Sequence, residues 1–288
     1  MKNILVTGSN GFVGSYFIDN YNKKYNINTF SFLNDNFNEL CLSNIYTIIH
    51  LSALVHQMDG ASAGEYEKIN LTQTMDLAKK SKNSGVKYFI FMSTIAVYGK
   101  EVGTITESST CRPITEYGKS KLKAEEELQK LEDDSFKVSI IRPPIVNGYN
   151  GPGNMKSLIS LVSKVSILPF GSIKNKRSMV YVGNLCHLID EIIIQQKQGV
   201  FLASDDKPLS TTRLIELIAQ HLDRKVYLLK IPFFESLLKL VKPDFHKRLY
   251  GSLEIDNSES MKILFGEGKP SLPFSVEDGI KFMIKGES

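Results

Sequence analysis

The first 22 residues constrain the fold of this chain more than any other stretch. A short apolar run, Ile4-Leu5-Val6, predicts a buried strand, and apolar residues at helical spacing begin at residue 12. The glycines between them are Gly8, Gly11 and Gly14. Strand, glycine turn and helix in this order are typical of dinucleotide sites, because the glycines let a pyrophosphate approach the backbone and let the helix pack on the strand. The helix N-terminus then offers its N–H groups to the phosphates.

The composition is that of an ordinary globular protein. The 288 residues carry 35 basic and 31 acidic side chains, and this weak positive charge gives no reason to expect a nucleic-acid partner. The cysteines are Cys41, Cys111 and Cys186, too widely spaced and odd in number for a disulfide framework or a metal site. We find no leader and no apolar run long enough for an integral membrane segment, so we expect a cytoplasmic protein.

Predicted strands and helices alternate along the chain, which indicates an α/β fold with a doubly wound parallel sheet of Rossmann type. We predict further strands at 27–32, 45–50, 88–92, 137–141 and 200–203, and helices at 66–84 and 114–131. We assign residues 1–150 to a nucleotide-binding domain to which residues 178–204 return. Residues 151–177 and 205–288 then form a smaller C-terminal subdomain that binds the substrate.

Two segments of this pattern leave alternatives open. The second strand ends in Ser31-Phe32-Leu33-Asn34-Asp35, and Asp35 is late for the acidic residue that holds an adenosine ribose, so NAD and NADP both remain possible cofactors. Residues 233–241 predict a strongly apolar helix. We favour a place for it in the domain core, with peripheral membrane contact as the alternative.

The strand at 88–92 runs into Ser93-Thr94, and Tyr117 and Lys121 follow four residues apart on one helix face. A lysine charge near a tyrosine favours the phenolate and lowers the pKa of the tyrosine, which then exchanges protons with a sugar hydroxyl. Lys121 can also hold ribose hydroxyls. The Thr94 hydroxyl at the sheet edge can donate to the same oxygen as charge develops there.

Five blocks in this order resemble the extended short-chain dehydrogenases/reductases, the NAD-dependent epimerase/dehydratase family. They are T-G-S-N-G-F-V-G, H-L-S-A, S-T-I-A-V-Y-G, Y-G-K-S-K and R-P-P. The resemblance implies Thr94, Tyr117 and Lys121 as the catalytic set, and an NAD or NADP cofactor. The cofactor site it implies comprises Gly8, Asn10, Gly11, Phe12, Val13, Gly14, Leu51, Ser52, Ala53, Tyr117, Lys121 and Pro144.

Further positions match the sugar-nucleotide side of the family. Arg177 lies where the family clamps the diphosphate, a role that suits a guanidinium, and Arg248 resembles a second phosphate arginine. Asn154 follows a G-P-G turn where the family places a substrate amide, and His56 falls near the expected sugar. With Thr94, these residues form the substrate-binding set that the resemblance implies for a UDP-sugar.

The resemblance also narrows the reaction. Ile95 and Ala96 stand where dehydratases of the family carry an acid and a base, and neither can move a proton, so we do not expect 4,6-dehydration. Our leading hypothesis is reduction of the C4 ketone of a UDP-2-acetamido-2,6-dideoxy-4-hexulose for surface polysaccharide synthesis. The alternatives are a UDP-hexose or UDP-N-acetylhexosamine 4-epimerase and a non-catalytic NAD(P)-binding protein. The family usually forms homodimers through two helices of each subunit, here at 66–84 and 114–131.

Overall fold

The apolar runs of the sequence pair into a parallel sheet at the centre of the molecule. The computed structural model describes residues 1–55, 61–267 and 272–286. The strands are β1 (Asn3–Thr7), β2 (Asn26–Phe30), β3 (Thr47–His50), β4 (Tyr88–Met92), β5 (Gly103–Ile105), β6 (Lys137–Arg142), β7 (Ile145–Asn147), β8 (Ile167–Leu168), β9 (Met179–Tyr181), β10 (Gly199–Leu202), β11 (Tyr227–Leu228) and β12 (Leu253–Ile255).

Helices follow most of the strands and cover the sheet. They are α1 (Phe12–Tyr21), α2 (Ala63–Tyr66), α3 (Gln73–Asn83), α4 (Glu116–Lys130), α5 (Asn154–Lys164), α6 (Val182–Gln195), α7 (Thr211–His221), α8 (Phe234–Val241), α9 (Pro243–Tyr250), α10 (Ser258–Phe265) and α11 (Val276–Lys285). A π-helical segment, Glu67–Thr72, joins α2 to α3, and short 3₁₀ turns cover Phe37–Glu39 and Ile95–Tyr98. None of these described helices has the length and apolar character that crossing a bilayer requires.

The central sheet has the order β10-β6-β4-β3-β1-β2 among the described residues, and every pairing in it is parallel. Alternate side chains of each strand point to opposite faces. Ile4 and Val6 of β1 pack in a core with Phe17 of α1 and Leu185 of α6. Leu5 packs on the other face, in a core that α3 and α4 also line. Helices cover both faces, so the predicted doubly wound α/β fold is confirmed.

A separate apolar core lies in the C-terminal part of the chain. Its members come mainly from α5, α7 and α11, and Val162, Ile215 and Ile280 are fully buried there. Smaller parallel pairs, β11 with β8, β12 with β5 and β7 with β9, connect segments that are distant in sequence. The division between a cofactor domain and a substrate subdomain at residue 150 stays a prediction.

The helix predicted at 66–84 is present, but it contains the π-helical segment Glu67–Thr72, a feature that period-based reasoning does not detect. The helix predicted at 233–241 exists as α8, but none of its residues is buried, so its assignment to the domain core is wrong. Apolar residues at helical spacing give the position of the helix but not the surface that covers it.

Replacing Gly14 with alanine tests the packing of α1 on β1. A Cβ atom on Gly14 would lie 2.2 Å from the carbonyl oxygen of Gly8, so the helix must move. We expect Gly14→Ala to lower the free energy of unfolding by about 1–3 kcal/mol in a denaturant titration. Gly64→Ala is the matched control, because a Cβ there meets nothing within 4 Å. Equal stability of the two variants would contradict this packing.

Candidate active site

The glycine turn after β1 forms a cradle that only glycine permits. Gly8 has a φ of +70°, and a Cβ atom on it would lie 2.8 Å from the backbone nitrogen of Ser52. The Gly11 N–H donates to the Gly8 carbonyl at 2.9 Å, and exposed Asn10 occupies the turn between them. Among the described side chains none caps α1, so its first N–H groups, which include those of Phe12, Val13 and Gly14, face the turn. This cradle fits the pyrophosphate of a dinucleotide.

The segment after β3 lies beside this cradle. The Ser52 N–H donates to the Thr7 hydroxyl at 3.3 Å, which ties the end of β3 to the end of β1. The Leu51 carbonyl carbon lies 2.9 Å from the position that a Gly8 Cβ would take. Leu51, Ser52 and Ala53 are all half-buried. The residues that the resemblance assigns to the cofactor from β1 and β3 are therefore adjacent in space.

A buried asparagine that the sequence analysis missed fixes this segment. The Asn70 side chain accepts from the Leu54 N–H at 2.8 Å and donates to the Leu54 carbonyl at 3.0 Å. It also donates to the Ser120 hydroxyl on α4 at 3.1 Å. Asn70 lies in the π-helical segment, and such segments occur often at functional sites. One side chain thus connects the loop after β3 to the helix that carries Tyr117.

Thr94 and Tyr117 approach each other where α4 packs on the turn after β4. Thr94 caps the 3₁₀ turn by accepting from the Ala96 N–H at 3.1 Å. Thr115 caps α4 by accepting from the Gly118 N–H at 3.1 Å. A Cβ atom on Gly118 would lie 2.8 Å from the Ala96 carbonyl oxygen, so the helix and the turn are in close contact. This contact places Tyr117, in the first turn of α4, beside Thr94.

The pKa of Tyr117 is shifted in the direction opposite to the one that the sequence predicts. Burial raises the pKa of Tyr117 to about 12, and the Thr94 side chain only partly opposes this by favouring the phenolate. The expected lowering of the tyrosine pKa by Lys121 is not found in the protein alone. At neutral pH the phenol is therefore protonated, and a further positive charge is needed to activate it as a base.

Lys121 is itself shifted by its surroundings. Its side chain is buried, its Nζ donates to the Met92 carbonyl at 2.7 Å, and it lies 4.3 Å from the centre of the Phe91 ring. Burial lowers the pKa of Lys121 to about 7, while the Glu125 carboxylate acts in the opposite direction. Burial thus weakens the hold of Lys121 on its proton, so changes in the cleft can alter its charge.

A buried polar network behind these residues was also missed. The Arg142 Nη2 contacts the Glu125 Oε2 at 2.5 Å, and the Arg142 Nη1 donates to the Tyr98 hydroxyl at 2.7 Å. The Ser93 hydroxyl donates to the same carboxylate. Glu125 follows Lys121 by four residues, and Arg142 is the arginine of R-P-P, so the signal was present in the sequence. The network holds β4, β6 and α4 together behind Thr94 and Tyr117.

The catalytic candidates open into a cleft of about 550 Å³. Pro144, Arg177 and Arg248 line this cleft together with Thr94 and Tyr117. The Arg177 Nη1 donates to the Gly251 carbonyl at 3.2 Å. Burial and the nearby charge of Arg248 both lower the pKa of Arg177. Two guanidinium groups that repel each other in this way suit a diphosphate.

Three remaining candidates differ in what the structure says of them. Asn154 is the first residue of α5, and its side chain is outside the described part of the protein. His56 also lies outside the described residues. Asp35 is five residues beyond β2, yet its Oδ2 accepts from the Ser31 N–H at 2.7 Å. The turn therefore returns a carboxylate to the end of β2, which spacing along the sequence did not suggest.

Replacing Lys121 with methionine tests the cost of burying this cation. The pKa of about 7 in the folded protein lies below the ordinary lysine value of 10.5, so the unfolded chain binds more protons between these values. We expect Lys121→Met to raise the free energy of unfolding by about 1–3 kcal/mol at pH 7, and the advantage to shrink toward pH 10. Urea titrations at several pH values measure this. Lys119→Met, at an exposed position of α4, serves as control, and an advantage that grows with pH would contradict the assignment.

Known proteins resemble this chain in sequence and in fold. The model of the NAD dependent epimerase/dehydratase family matches residues 4–201. A UDP-glucose 4-epimerase of Vibrio cholerae is 37% identical, with 97% of this chain and 94% of the relative covered. An N-acetyl-alpha-D-glucosaminyl-diphospho-ditrans,octacis-undecaprenol 4-epimerase of Escherichia coli O157:H7 is 26% identical, with 80% and 76% covered.

A solved structure extends the likeness to the fold of the whole chain. The UDP-glucuronic acid 4-epimerase from Bacillus cereus, in complex with NAD, superposes with a TM-score of 0.77 at 19% identity, covering 99% of this chain and 98% of that one. Together with the glycine cradle and the Thr94–Tyr117 cleft, these matches make the protein an enzyme that uses NAD or NADP. The chain belongs to the NAD-dependent epimerase/dehydratase family of nucleotide-sugar enzymes.

Proposed function

We propose that this enzyme is a 4-epimerase of a UDP-hexose or UDP-N-acetylhexosamine. The observation that carries the proposal is that one cleft is lined by Thr94, Tyr117, Arg177 and Arg248. Tyr117 can exchange a proton with a sugar hydroxyl, and the two arginines can hold a diphosphate. The name of the 37% identical relative, which is covered over nearly its whole length, supports epimerisation and a UDP-sugar.

The residues of the cleft divide the reaction between them. A bound nicotinamide cofactor supplies the acceptor and donor of the hydride at C4. Tyr117 takes the proton of the C4 hydroxyl as the ketone forms and returns it to the same oxygen when hydride is returned to the other face of C4. Thr94 would hydrogen-bond that oxygen, and Lys121 would hold the cofactor ribose. Because the protein alone keeps Tyr117 protonated, we propose that the charge of the oxidised cofactor, together with Lys121, lowers the pKa of Tyr117 on binding.

In this proposal the diphosphate is held by the positive charges of the cleft. Arg177 is half-buried and fixed by the Gly251 carbonyl, so little side-chain entropy is lost when an anion binds. Arg248 and Lys247 on α9 line the same cleft. An anion placed there relieves the repulsion between the two arginines, and this relief favours a substrate with two phosphate groups.

Reduction of a UDP-4-keto sugar is the second candidate, and the catalytic residues would be the same. The blocks of residues 168–185 and 248–257, which look like those of the bacterial 4-ketoreductases, favour it. A reductase consumes one NAD(P)H for each sugar, whereas an epimerase retains its cofactor through the cycle. The two are separated by supplying UDP-4-keto sugars with NADH or NADPH and following the absorbance of the reduced cofactor.

The decisive test of epimerisation omits any added cofactor. Purified enzyme is mixed with UDP-glucose, UDP-galactose and their N-acetyl counterparts, and the products are identified by NMR. We expect interconversion of one epimer pair and stoichiometric NAD in the protein. Turnover only with added NAD(P)H and a keto sugar would instead establish the reductase. The homodimer that the family resemblance implies stays a prediction.

Tyr117→Phe removes the proton carrier and leaves the ring. We expect turnover to fall by roughly 10²–10⁴-fold, because the reaction loses its general acid–base group. Dinucleotide binding, followed by quenching of protein fluorescence, should change little. Tyr66→Phe is the matched control, because its ring lies 6.2 Å from that of Tyr117 but outside the cleft lining. Undiminished turnover of Tyr117→Phe would contradict the assigned role.

The carboxylate of Asp35 leads us to propose NAD rather than NADP. A carboxylate at the end of β2 accepts from ribose hydroxyls and repels a 2′-phosphate. We expect Asp35→Asn to shift the ratio of NAD to NADP affinity toward NADP by about tenfold, a change of roughly 1.4 kcal/mol. Equilibrium binding of each dinucleotide measures this, with Asp19→Asn on the exposed side of α1 as control. An unchanged ratio would remove Asp35 from the cofactor site.

A further inference from the structure

Helices α8 and α9 form a hairpin with an exposed apolar surface. Phe233, Leu237 and Leu240 have relative exposures of 86%, 59% and 82%. Val241 and Phe245 are also exposed. Positions 237, 240 and 241 have the spacing of one helix face, and Phe233 immediately precedes the first residue of α8. These five residues, which we call the hairpin surface, form a cluster of large apolar side chains that faces water in the isolated chain, and such clusters mark interaction sites.

A second face of α8 anchors the hairpin to the protein. Phe234 and Leu238 are half-buried, and Phe234 packs on the C-terminal core with its ring 6.4 Å from that of Phe170. Phe234 and Leu238 therefore attach the hairpin to the protein, and the five residues of the hairpin surface are not required for this attachment. Phe233 begins the hairpin with a φ of +63°, which is unfavourable for a bulky residue. Its side chain is thus held outward at a cost in backbone energy.

The charge around the hairpin surface identifies the chemistry of a partner. Residues 225–250 contain six basic and two acidic side chains, whereas the remaining 262 residues hold 29 of each. This one segment therefore carries the whole net charge of the protein. Within the described residues, no acidic side chain forms an ion pair with Lys230, Lys239 or Lys242. Apolar side chains flanked by unpaired lysines suit the surface of an anionic bilayer. There the burial of the apolar side chains and the attraction of the lysines to the lipid headgroups are both favourable.

The position of the hairpin relates this surface to the substrate cleft. Asp244, Lys247 and Arg248 of α9 line the cleft that Thr94 and Tyr117 also line. The Lys247 Nζ contacts the carboxylate of Glu101, which also lines the cleft, at 2.8 Å. This ion pair connects α9 to the segment that follows the 3₁₀ turn at Ile95–Tyr98. A partner bound to the hairpin surface would therefore lie beside the wall of the cleft that α9 supplies.

We propose that the hairpin surface docks on the surface of an anionic lipid bilayer and holds the substrate cleft beside it. The eight residues of α8 extend about 12 Å, far less than a bilayer core, so the hairpin lies in the interface and does not span it. A second copy of the chain is a poorer occupant. A two-fold contact through this surface would bring Lys239 and Lys242 close to the same lysines of the other copy.

Vesicle flotation tests the proposal without reference to the sugar chemistry. The full chain is mixed with vesicles of phosphatidylglycerol and phosphatidylcholine, or of phosphatidylcholine alone. We expect flotation with the anionic vesicles and a steep loss as salt is raised, because lysine attraction is screened. The triple variant Phe233→Ser, Leu237→Ser, Leu240→Ser should remain at the bottom of the gradient. Leu33→Ser, a change at a 93% exposed residue on the β2–β3 loop, should float as the native chain does.

The charged part of the surface is tested separately. Lys239→Gln with Lys242→Gln should weaken binding to anionic vesicles by about fivefold for each lysine removed. Lys68→Gln with Lys79→Gln, at exposed positions of the π-helical segment and α3, should leave binding unchanged. Circular dichroism confirms that each variant is folded. Turnover of soluble UDP-sugars should stay at the native level in the triple variant.

Three results would overturn the proposal. The first is absence of flotation for the native chain at low salt. The second is equal flotation of the native chain and the folded triple variant. The third is a dimer that the triple variant alone dissociates in sedimentation velocity, without vesicle binding by the native chain, which would assign the surface to a second copy. A failure of the proposed epimerase activity leaves each of these readouts intact.

Discussion

The buried ion pair between Arg142 and Glu125 is the interaction on which the rest of the site depends. Both side chains are nearly inaccessible to water, so neither charge is tolerable without the other. The pair joins β6 to α4, and Ser93 and Tyr98 complete it from β4 and the turn that follows. Removing one partner of such a pair costs about 3–5 kcal/mol. The network thus fixes α4 against the sheet, one helical turn beyond Lys121.

Because this network holds α4 against the sheet, two side chains of α4 are kept away from water. Burial raises the pKa of Tyr117 and lowers the pKa of Lys121. Tyr117 and Lys121 lie on one face of α4, and α4 cannot move away from the sheet to let water in. The same desolvation that keeps the phenol protonated drives the lysine toward neutrality. Thr94 and Tyr117 therefore contribute little charge to the cleft, while Arg177 and Arg248 contribute two positive charges to it. This difference suits the proposed substrate, which has a neutral sugar and a charged diphosphate.

Much of this could be predicted from the sequence because parallel strands are buried on both faces and appear as unbroken apolar runs. The prediction for the strand at 88–92 matches β4 to the residue, and the glycine turn identifies β1 as the strand that precedes it. The rest could not be predicted from the pattern of apolar residues. Asp35 folds back on Ser31 within a turn whose conformation that pattern does not specify. Most apolar residues of α8 are exposed although Phe234 packs on the C-terminal core, and which residues are covered depends on what lies against the helix in three dimensions.

The central claim is that hydrogen leaves C4 and returns to it within one cleft. The most direct measurement uses a UDP-sugar labelled with deuterium at C4 and enzyme that receives no added cofactor. NMR of the epimer formed should show the deuterium fully retained at C4, since the hydride never reaches solvent. Loss of the label to water, or a product that forms only when reduced cofactor is supplied, would contradict the account.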